Sequence, residues 1–395
     1  MARTGGSWSG RRIAVVAAAL ALGAVALSAV GAAAAVTVYF ARTVVTPPRR
    51  RAEDLRILAV TESTVTLSAA EDSLTPGEYS LWFSQDAGHA RVGEILEYSA
   101  ESVTRVLLGV DFGDLHSARA GRFSGWFYLS PGELGVPWED VFVDTELGPA
   151  PAWLVPAEAP GDRWVIQVHG RAVRRQEALR AIRVFRAAGY SSLVISYRND
   201  GDAPPSPDHR YALGDTEWRD VEAAIRFALD RGAREVVLMG WSMGGATVLQ
   251  CLTRSELASV VRGVVLDSPV VDWVTALAYQ AQLNRLPPFV REGVLTLLSN
   301  RWAGPITGQS APIDLTRLDL VARAAELSVP VLILHSVDDG FVPATASEAL
   351  AYARPDIVTF ERFTTARHTK IWNYDRERWE SAIAAWLTRL SSTSG

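Results

Sequence analysis

Residues 236–246 read Val236-Val237-Leu238-Met239-Gly240-Trp241-Ser242-Met243-Gly244-Gly245-Ala246. The apolar run predicts a short buried strand, and the residues after Ser242 predict the start of a helix. In so sharp a turn the serine adopts a strained backbone conformation, and side chains two positions away on either side would collide, which explains Gly240 and Gly244. The pattern predicts a nucleophilic Ser242 at a helix N-terminus, where the N–H of Met243 is free to bind an oxyanion. A glycine-rich turn without catalytic meaning is the alternative interpretation.

The surrounding sequence alternates between short apolar runs and amphipathic helical patterns from Trp153 onward. Helical spacing of apolar residues predicts helices at Gln176–Ala188 and Thr216–Leu229. The predicted strands are rich in β-branched residues: Trp164–Val168, Leu193–Ser196, Val236–Met239, Gly263–Asp267 and Val331–His335. This alternation predicts an α/β fold with a mostly parallel sheet that is covered by helices on both faces. The ligand site of such a sheet lies at the C-terminal ends of the strands.

Three further segments lie at predicted strand ends. His169-Gly170-Arg171 follows the first strong strand, and the backbone N–H of Arg171 is the expected second oxyanion donor beside Met243. The alternative interpretation of this segment is a plain tight turn.

An acidic pair, Asp338-Asp339, follows the predicted strand Val331–His335, and His368 lies in a loop after the predicted strand Ile357–Arg362. The order Ser, Asp, His, each at a strand end, is the order expected for a hydrolase of this architecture. Turn-capping aspartates and an exposed histidine are the alternatives.

From about Pro151 to Leu390 the chain resembles an α/β-hydrolase of the prolyl-oligopeptidase-like and esterase-like branch, and especially the exported, membrane-anchored α/β-hydrolases of actinobacteria. The resemblance rests on Val168-His169-Gly170, the segments 195–200, 211–214, 217–221 and 240–245, Leu266-Asp267-Ser268-Pro269, and Asp339-x-x-Val342-Pro343. These motifs are specific for the fold and for a serine nucleophile, and they are not specific for a substrate.

The resemblance implies a role for each candidate residue. Ser242 would attack an acyl carbonyl, His368 would act as the general base, and Asp339 would orient His368. Met243 and Arg171 would hold the oxyanion, although many relatives have a small residue where this chain has Arg171. Candidates for the lining of the pocket are Gly170, Tyr197 and Trp241.

Composition excludes several other classes of function. The chain has 395 residues, of which 48% are hydrophobic, and this fits one large or two smaller globular domains. A formal net charge of -5 gives no electrostatic argument for nucleic-acid binding. Cys251 is the only cysteine, so it forms no intrachain disulfide and is expected to be a small buried side chain. The sequence contains no metal-ligand cluster, P-loop or dinucleotide fingerprint, so we expect no metal and no cofactor.

Residues 13–40 carry no charge and are mostly Ala, Val, Leu and Gly. Roughly 20 apolar residues cross a bilayer as a helix, so the run predicts an uncleaved transmembrane helix after a cytoplasmic tail of residues 1–12. A signal peptide cleaved near Ala32–Ala35 is the alternative. Arginines flank both ends of the run and leave the orientation open; we expect a single-pass protein of the cell membrane with its catalytic domain outside the cytoplasm. Residues 41–52 are expected to form a solvated linker.

Two regions complete the predicted organisation. Residues 53–150 contain short strand-like runs and predict a small β-rich region of unknown function: Leu55–Val60, Thr64–Leu67, Tyr79–Phe83, Arg105–Val110 and Phe123–Leu129. Within the hydrolase domain, residues 151–392, the strand rhythm stops at about 272–328. Helical patterns there, at Val274–Leu286, Phe289–Arg301 and Leu318–Leu327, predict either a lid that walls an acyl pocket or helices that only pack on the sheet.

The leading hypothesis is a serine hydrolase that acts on a carboxylic ester, or on a short peptide or acyl amide, through an acyl-enzyme. The alternatives are a catalytically silent scaffold for binding in the cell envelope and an acyltransferase. The helical insert favours esters over peptides as substrates. The expected partners are this small molecule and the membrane, and the sequence leaves the oligomeric state open.

Overall fold

A computed structural model describes residue 15 and residues 30–392. Within this part of the chain the strands form two sheets, a closed six-stranded barrel and an eight-stranded sheet. The barrel precedes the larger sheet in sequence, and the two meet at the candidate site.

The barrel is antiparallel, with the strand order β1-β2-β5-β4-β3-β6. Its strands are β1 Leu55–Val60, β2 Thr64–Ser68, β3 Tyr79–Phe83, β4 Gly88–Tyr98, β5 Ser102–Phe112 and β6 Ala120–Ser124. Closure follows from β1, which pairs with β2 on one side and with β6 on the other. The predicted strand Phe123–Leu129 is wrong in extent, since β6 ends at Ser124 and the side chain of Ser124 accepts the N–H of Trp126 in the turn that follows.

The eight-stranded sheet has the order β14-β13-β12-β11-β9-β10-β8-β7. Its strands are β7 Glu139–Thr145, β8 Gly148–Val155, β9 Arg163–Val168, β10 Ser191–Ile195, β11 Glu235–Trp241, β12 Val261–Asp267, β13 Val331–Ser336 and β14 Val358–Phe363. The strands from β9 to β14 pair in parallel, as predicted, whereas β7 and β8 form an antiparallel edge. Successive side chains of β11 pack into the cores on opposite faces of the sheet. Val236 and Leu238 belong to the core on one face, and Val237 and Met239 belong to the core on the other face.

The predicted domain boundary between residues 150 and 151 is wrong. It falls inside β8, which pairs with β10 through Leu154 and Leu193, and the hairpin partner β7 belongs to the same sheet. A hairpin has the same alternating pattern of residues whether it belongs to a barrel or to the edge of a larger sheet. The local pattern therefore could not assign β7 and β8 to one of the two sheets.

The helices lie on both faces of the large sheet or follow its strands. Helix α1 is described over residues 30–45. The others are α2 Ile182–Ala187, α3 Trp218–Asp230, α4 Met243–Arg254, α5 Trp273–Leu283, α6 Pro288–Ser299, α7 Gly304–Thr307, α8 Thr345–Ala353, α9 Ile371–Tyr374 and α10 Arg376–Ser392. Cys251 of α4 is buried, as expected.

Two predicted helices differ from the structure. The first half of Gln176–Ala188 is a 3-10 helix, Arg175–Ala181, that leads into α2. Leu318–Leu327 forms turns and a short 3-10 helix, Ala324–Glu326. The side chain of Asp319 accepts the N–H groups of Val321 and Ala322, and such a local bond competes with helix formation.

The N-terminal segment differs from prediction where it is described. Helix α1 continues to residue 45, beyond the predicted boundary at 40/41, and Ala41 and Val45 are fully buried in the core of the hydrolase domain. Those apolar contacts extend the helix into the segment expected to be a solvated linker. Apart from residues 15 and 30–40, the predicted transmembrane helix lies outside the described residues, as does the predicted cytoplasmic tail. No helix in the described part of the chain has the length and apolar character needed to span a bilayer.

Candidate active site

Ser242 lies in the turn between β11 and α4, as the glycine pattern predicts. Its backbone has φ 51° and ψ -116°, a conformation that L-residues rarely adopt. A Cβ atom on Gly240 would lie 2.4 Å from the carbonyl oxygen of Gly244, and one on Gly244 would lie 2.2 Å from that of Val168. Only glycine fits either position, and the N–H of Ser242 is held by the carbonyl of Asp267 at 3.0 Å.

The structure brings Ser242, His368 and Asp339 together from three separate strand ends. The Ser242 Oγ lies 2.9 Å from Nε2 of His368, and Nδ1 of the same ring lies 2.7 Å from Oδ2 of Asp339. A carboxylate only accepts hydrogen bonds, so Nδ1 carries the proton and Nε2 accepts from the serine hydroxyl. This arrangement allows the imidazole to take the Ser242 proton while the carboxylate stabilises the resulting charge.

Asp339 is buried and fully hydrogen-bonded. Its Oδ1 accepts the N–H groups of Phe341 and Val342 at 2.8 and 2.9 Å. Burial raises the pKa of this carboxyl, but the charge of His368 and the hydrogen bonds from His335 and His368 outweigh burial and hold the pKa below its usual range. Asp339 is therefore ionised at neutral pH.

Asp338 points elsewhere. Its carboxylate is partly exposed and pairs with the guanidinium of Arg367 at 3.2 Å. The two adjacent acids lie in the turn that follows β13 and face different partners.

His335 is a second histidine on Asp339 that the sequence patterns did not single out. Its Nε2 lies 3.3 Å from Oδ2 of Asp339 and 3.1 Å from the carbonyl oxygen of Val342, and both of those groups are acceptors. Nε2 therefore carries the proton, and Nδ1 accepts from the hydroxyl of Ser347 at 2.8 Å. The only sequence signal was its place at the end of β13, where a histidine interrupts an apolar strand.

The loop after β9 contributes the candidate oxyanion donors. The N–H of Gly170 donates to Glu177 at 2.7 Å and is already satisfied, so Arg171 is the next donor along the loop. Met243 is the first residue of α4, and an N–H in that position has no partner within its own helix. Arg171 lines the same cavities as Ser242, and the role of the Arg171 and Met243 N–H groups as oxyanion donors stays a prediction.

Tyr197 and Trp241, expected to line the pocket, are fully buried instead. The hydroxyl of Tyr197 donates to the carbonyl of Gly170 at 2.8 Å, and its ring stacks on His169 at 4.3 Å. Trp241 continues the face of β11 that carries Val237 and Met239, so it lies in the core. Tyr197 therefore supports the loop after β9, and Trp241 belongs to the core.

Two buried groups, Glu177 and Arg180, connect the oxyanion loop with the histidine loop. Arg180 donates to the carbonyl of Thr369 at 2.6 Å, directly after His368, and to the Asn373 side chain at 2.8 Å. Its Nη2 lies 3.9 Å from Glu177, whose other oxygen holds Gly170. Burial raises the pKa of Glu177 and lowers the pKa of Arg180.

Asp200 holds the far end of the oxyanion loop. Its carboxylate accepts the N–H of Ala172 at 3.2 Å and the hydroxyl of Tyr211. Burial raises the pKa of Asp200 to about 7. Ala172 itself has φ 60°, so the bond to Asp200 stabilises a left-handed turn directly after Arg171.

Two cavities open at Ser242. One, the polar cavity, has a volume of about 740 Å³ and lies between the barrel and the loops of the large sheet; Gly170 lines it, as predicted. The other, the apolar cavity, has a volume of about 300 Å³ and is walled by α1, α5 and α6. Within residues 30–392, no three His, Cys, Asp or Glu side chains are grouped so as to hold a metal ion.

Comparison with known proteins gives two family matches. Residues 168–379 match the model of the Alpha/beta hydrolase family, and residues 56–124, which form the barrel, match a domain of unknown function (DUF8805). No curated protein matches the chain at a significant level.

Among solved structures, an esterase from Pyrococcus furiosus superimposes with a TM-score of 0.51 at 18% identity, covering 66% of this chain and 94% of that chain. Est1E from Butyrivibrio proteoclasticus, solved with ferulic acid bound, gives a TM-score of 0.50 at 14% identity, covering 64% and 99%. At these identities the likeness extends to the fold alone.

Proposed function

The chain belongs to the alpha/beta hydrolase family, and we propose that it is a serine hydrolase that cleaves a carboxylic ester through Ser242, His368 and Asp339. The observation that carries the proposal is the pair of hydrogen bonds, 2.9 and 2.7 Å long, that joins the Ser242 hydroxyl through His368 to Asp339. The strained backbone of Ser242 and the two glycines that permit it support the same role.

The reaction proceeds in two halves. Ser242 Oγ attacks the carbonyl carbon while Nε2 of His368 takes the hydroxyl proton, and the N–H groups of Met243 and Arg171 bind the oxyanion. Collapse of the tetrahedral intermediate breaks the bond to the alcohol, and the alcohol leaves with the proton from His368. Water then attacks the acyl-enzyme, giving its proton to His368, and a second collapse releases the acid and restores Ser242.

Esters are the proposed substrates ahead of peptides. The cavity beside Ser242 is walled by apolar side chains of α5 and α6, including Trp273, Leu277 and Val294, and such a surface suits an acyl group. Efficient cleavage of peptide amides with little ester turnover would contradict this part of the proposal.

Labelling by a fluorophosphonate probe tests the nucleophile. The wild-type protein is expected to label and to hydrolyse aryl esters, whereas Ser242→Ala loses the label and several orders of magnitude of turnover while keeping its melting temperature. Ser99→Ala, in an exposed turn of the barrel, is the matched control. A wild-type protein that neither labels nor turns over any ester would favour the silent scaffold, and transfer of the acyl group to an added alcohol in place of water would favour the acyltransferase.

We also propose that the charge-free run of residues 13–40 anchors the protein in the cell membrane, with the hydrolase domain outside the cytoplasm. The end of the run lies outside the bilayer in this proposal, because Val38 packs on the hydrolase core and Phe40 lines the apolar cavity. The support is the charge-free run in the sequence, whose residues 30–40 form the first described part of α1. Protease treatment of intact spheroplasts is expected to remove the hydrolase domain. Protection until lysis would place the domain in the cytoplasm, and a soluble secreted form that begins near Ala35 would make the run a signal peptide.

A further inference from the structure

Ser242 lies at the junction of the two cavities. Arg171 and Phe341 also line both of them, so the cavities meet directly at the candidate nucleophile. An ester has two halves, an acyl group and an alcohol, and the nucleophile attacks the carbon that joins them. Two cavities of different chemistry at one serine therefore provide one compartment for each half.

The apolar cavity is closed by two parts of the chain that are distant in sequence. Trp273 and Leu277 of α5 and Val294 of α6 form one wall, and Phe40 and Val44 of α1 form another. These side chains offer an aliphatic group a dry surface and few hydrogen-bonding partners.

The polar cavity takes one wall from the barrel and one from the hydrolase loops. Ion pairs cross between the walls: Arg367 contacts Glu71 at 2.7 Å, and Lys370 contacts Asp72 at 2.7 Å. The barrel therefore does not merely precede the hydrolase domain; it completes one side of the cavity that reaches Ser242.

The position of His368 decides which half of the ester enters which cavity. The histidine that takes the serine proton returns it to the leaving alcohol, so the alcohol lies on the side of the imidazole. His368 lines the polar cavity, with Gly170 and Thr369, whereas Val342 and Val270 border the apolar cavity near Ser242. This geometry assigns the alcohol to the polar cavity and the acyl group to the apolar one.

We propose that the polar cavity is a subsite for the leaving alcohol and that this alcohol is a neutral polyhydroxylated group, a sugar or a polyol; the assignment rests on the proposed esterase function. Four acidic and four basic side chains line the cavity, so their formal charges cancel. Hydroxyl groups both donate and accept, and paired carboxylates and guanidinium or ammonium groups satisfy both needs. An alcohol that bears a phosphate would be matched by an excess of basic side chains instead.

Three octanoyl esters test the subsite, because they share the acyl group and differ only in the alcohol: 6-O-octanoyl glucose, methyl octanoate and octanoyl glycerol 3-phosphate. We expect kcat/KM for the glucose ester to exceed that for the methyl ester by at least tenfold. Ala70→Phe places a ring in the barrel wall of the cavity and is expected to lower the glucose-to-methyl ratio by about tenfold, mainly through KM. Ala100→Phe, in the exposed turn between β4 and β5, is the matched control and leaves the ratio unchanged. Melting temperatures of both variants verify folding.

Each other outcome overturns the inference. A wild-type ratio near one, or an Ala70→Phe ratio equal to that of the wild type in a folded variant, would show that the alcohol does not occupy the polar cavity. A higher kcat/KM for octanoyl glycerol 3-phosphate than for the glucose ester would contradict the proposal that the alcohol is neutral. Failure of the esterase function itself would appear differently, as absence of turnover of all three esters and of Ser242 labelling.

Discussion

Nε of Arg171 donates a hydrogen bond to the main-chain oxygen of Val44 at 3.0 Å. The same guanidinium donates to the carbonyls of Thr43 and Thr46 at 2.5 and 3.2 Å, and it lies 4.9 Å from the ring of Tyr211. Carbonyls in the last turn of a helix have no partner within that helix, so Arg171 supplies the donors that end α1. The side chain of the candidate oxyanion residue thus ties its loop to the end of α1, whose residues 30–40 belong to the predicted membrane segment.

We expect Arg171→Ala to release the loop although the backbone N–H is kept. The partly exposed carbonyls at the end of α1 lose their charged donor, so the free energy of unfolding falls by about 1–3 kcal/mol. Since the oxyanion donor is less well held, kcat falls roughly tenfold with a smaller change in KM, and Arg171→Lys recovers part of the loss through a single-point donor. Urea denaturation and steady-state kinetics measure the two effects. Arg183→Ala, on the exposed face of α2, is the control, and an Arg171→Ala variant that matched it would contradict the coupling.

Gly244→Ala tests the packing behind the nucleophile turn. Its methyl group would lie 2.2 Å from the carbonyl oxygen of Val168 and 2.5 Å from that of His169, and both are main-chain atoms that cannot rotate away. We expect a loss of about 1–3 kcal/mol or more in stability, together with loss of probe labelling. Gly109→Ala on β5 meets open space and is the control, expected to be neutral in thermal denaturation. Equal melting temperatures for the two variants would contradict this account of the turn.

The acyl assignment predicts a change in chain-length preference. Ala276 and Ala278 lie on α5; the first lines the apolar cavity, and the second lines a separate surface pocket. We expect Ala276→Phe to lower kcat/KM for octanoyl esters about tenfold relative to acetyl esters, because the ring fills space that the longer chain needs. Ala278→Phe should keep the wild-type ratio. A parallel loss for both esters in Ala276→Phe would instead indicate general damage to the site.

The sequence predicted those site residues that are marked by a pattern of neighbouring residues in the chain. The glycines around Ser242 follow from one tight turn, and the choice of Asp339 follows from its spacing to Val342 and Pro343. The sequence also predicts His368 and Asp339, the two side chains that join Ser242, and the parallel strands that position all three. The polar cavity was not foreseen, because the barrel that walls it gives no sequence signal of its position.

The supporting residues could not be predicted, because their partners are distant in sequence. Glu177 and Arg180 lie on a short 3-10 helix, where charged residues are usually exposed, yet Arg180 reaches Thr369 across the fold. The burial of Val45 depends on packing against the hydrolase core, which the composition of residues 41–52 does not encode. Non-local contacts likewise placed β7 and β8 in the large sheet.

Asp200 predicts a pH-dependent stability. Burial raises its pKa from 3.8 to about 7, so between these values the folded state keeps a proton that the unfolded state has lost. Its contribution to stability is therefore present below about pH 4 and is lost as pH rises to about 7. We expect the free energy of unfolding of Asp200→Asn to decrease less than that of the wild type between about pH 4 and pH 7. The variant therefore gains stability relative to the wild type as pH rises. Urea denaturation from pH 4.5 to 7.5 measures it, with the exposed neighbour Asp202→Asn as the control. Parallel curves for wild type and Asp200→Asn would contradict the raised pKa.

Asp339→Asn and Asp338→Asn separate the two adjacent acids. Asp339 lies 2.7 Å from Nδ1 of His368 and is buried, whereas Asp338 pairs with Arg367 at the surface. An asparagine at position 339 no longer fixes the tautomer in which Nε2 accepts the serine proton. In serine proteases that change costs about 10⁴ in kcat with the geometry intact. We expect a loss of that order for Asp339→Asn, with the protein still folded, and roughly tenfold or less for Asp338→Asn, because its partly exposed ion pair with Arg367 does not touch His368. The measurement is kcat/KM for one aryl ester at neutral pH, together with the melting temperature of each variant. If Asp338→Asn were the more damaging of two folded variants, the acid that orients His368 would be Asp338, and the proton path from Ser242 to His368 would be unchanged.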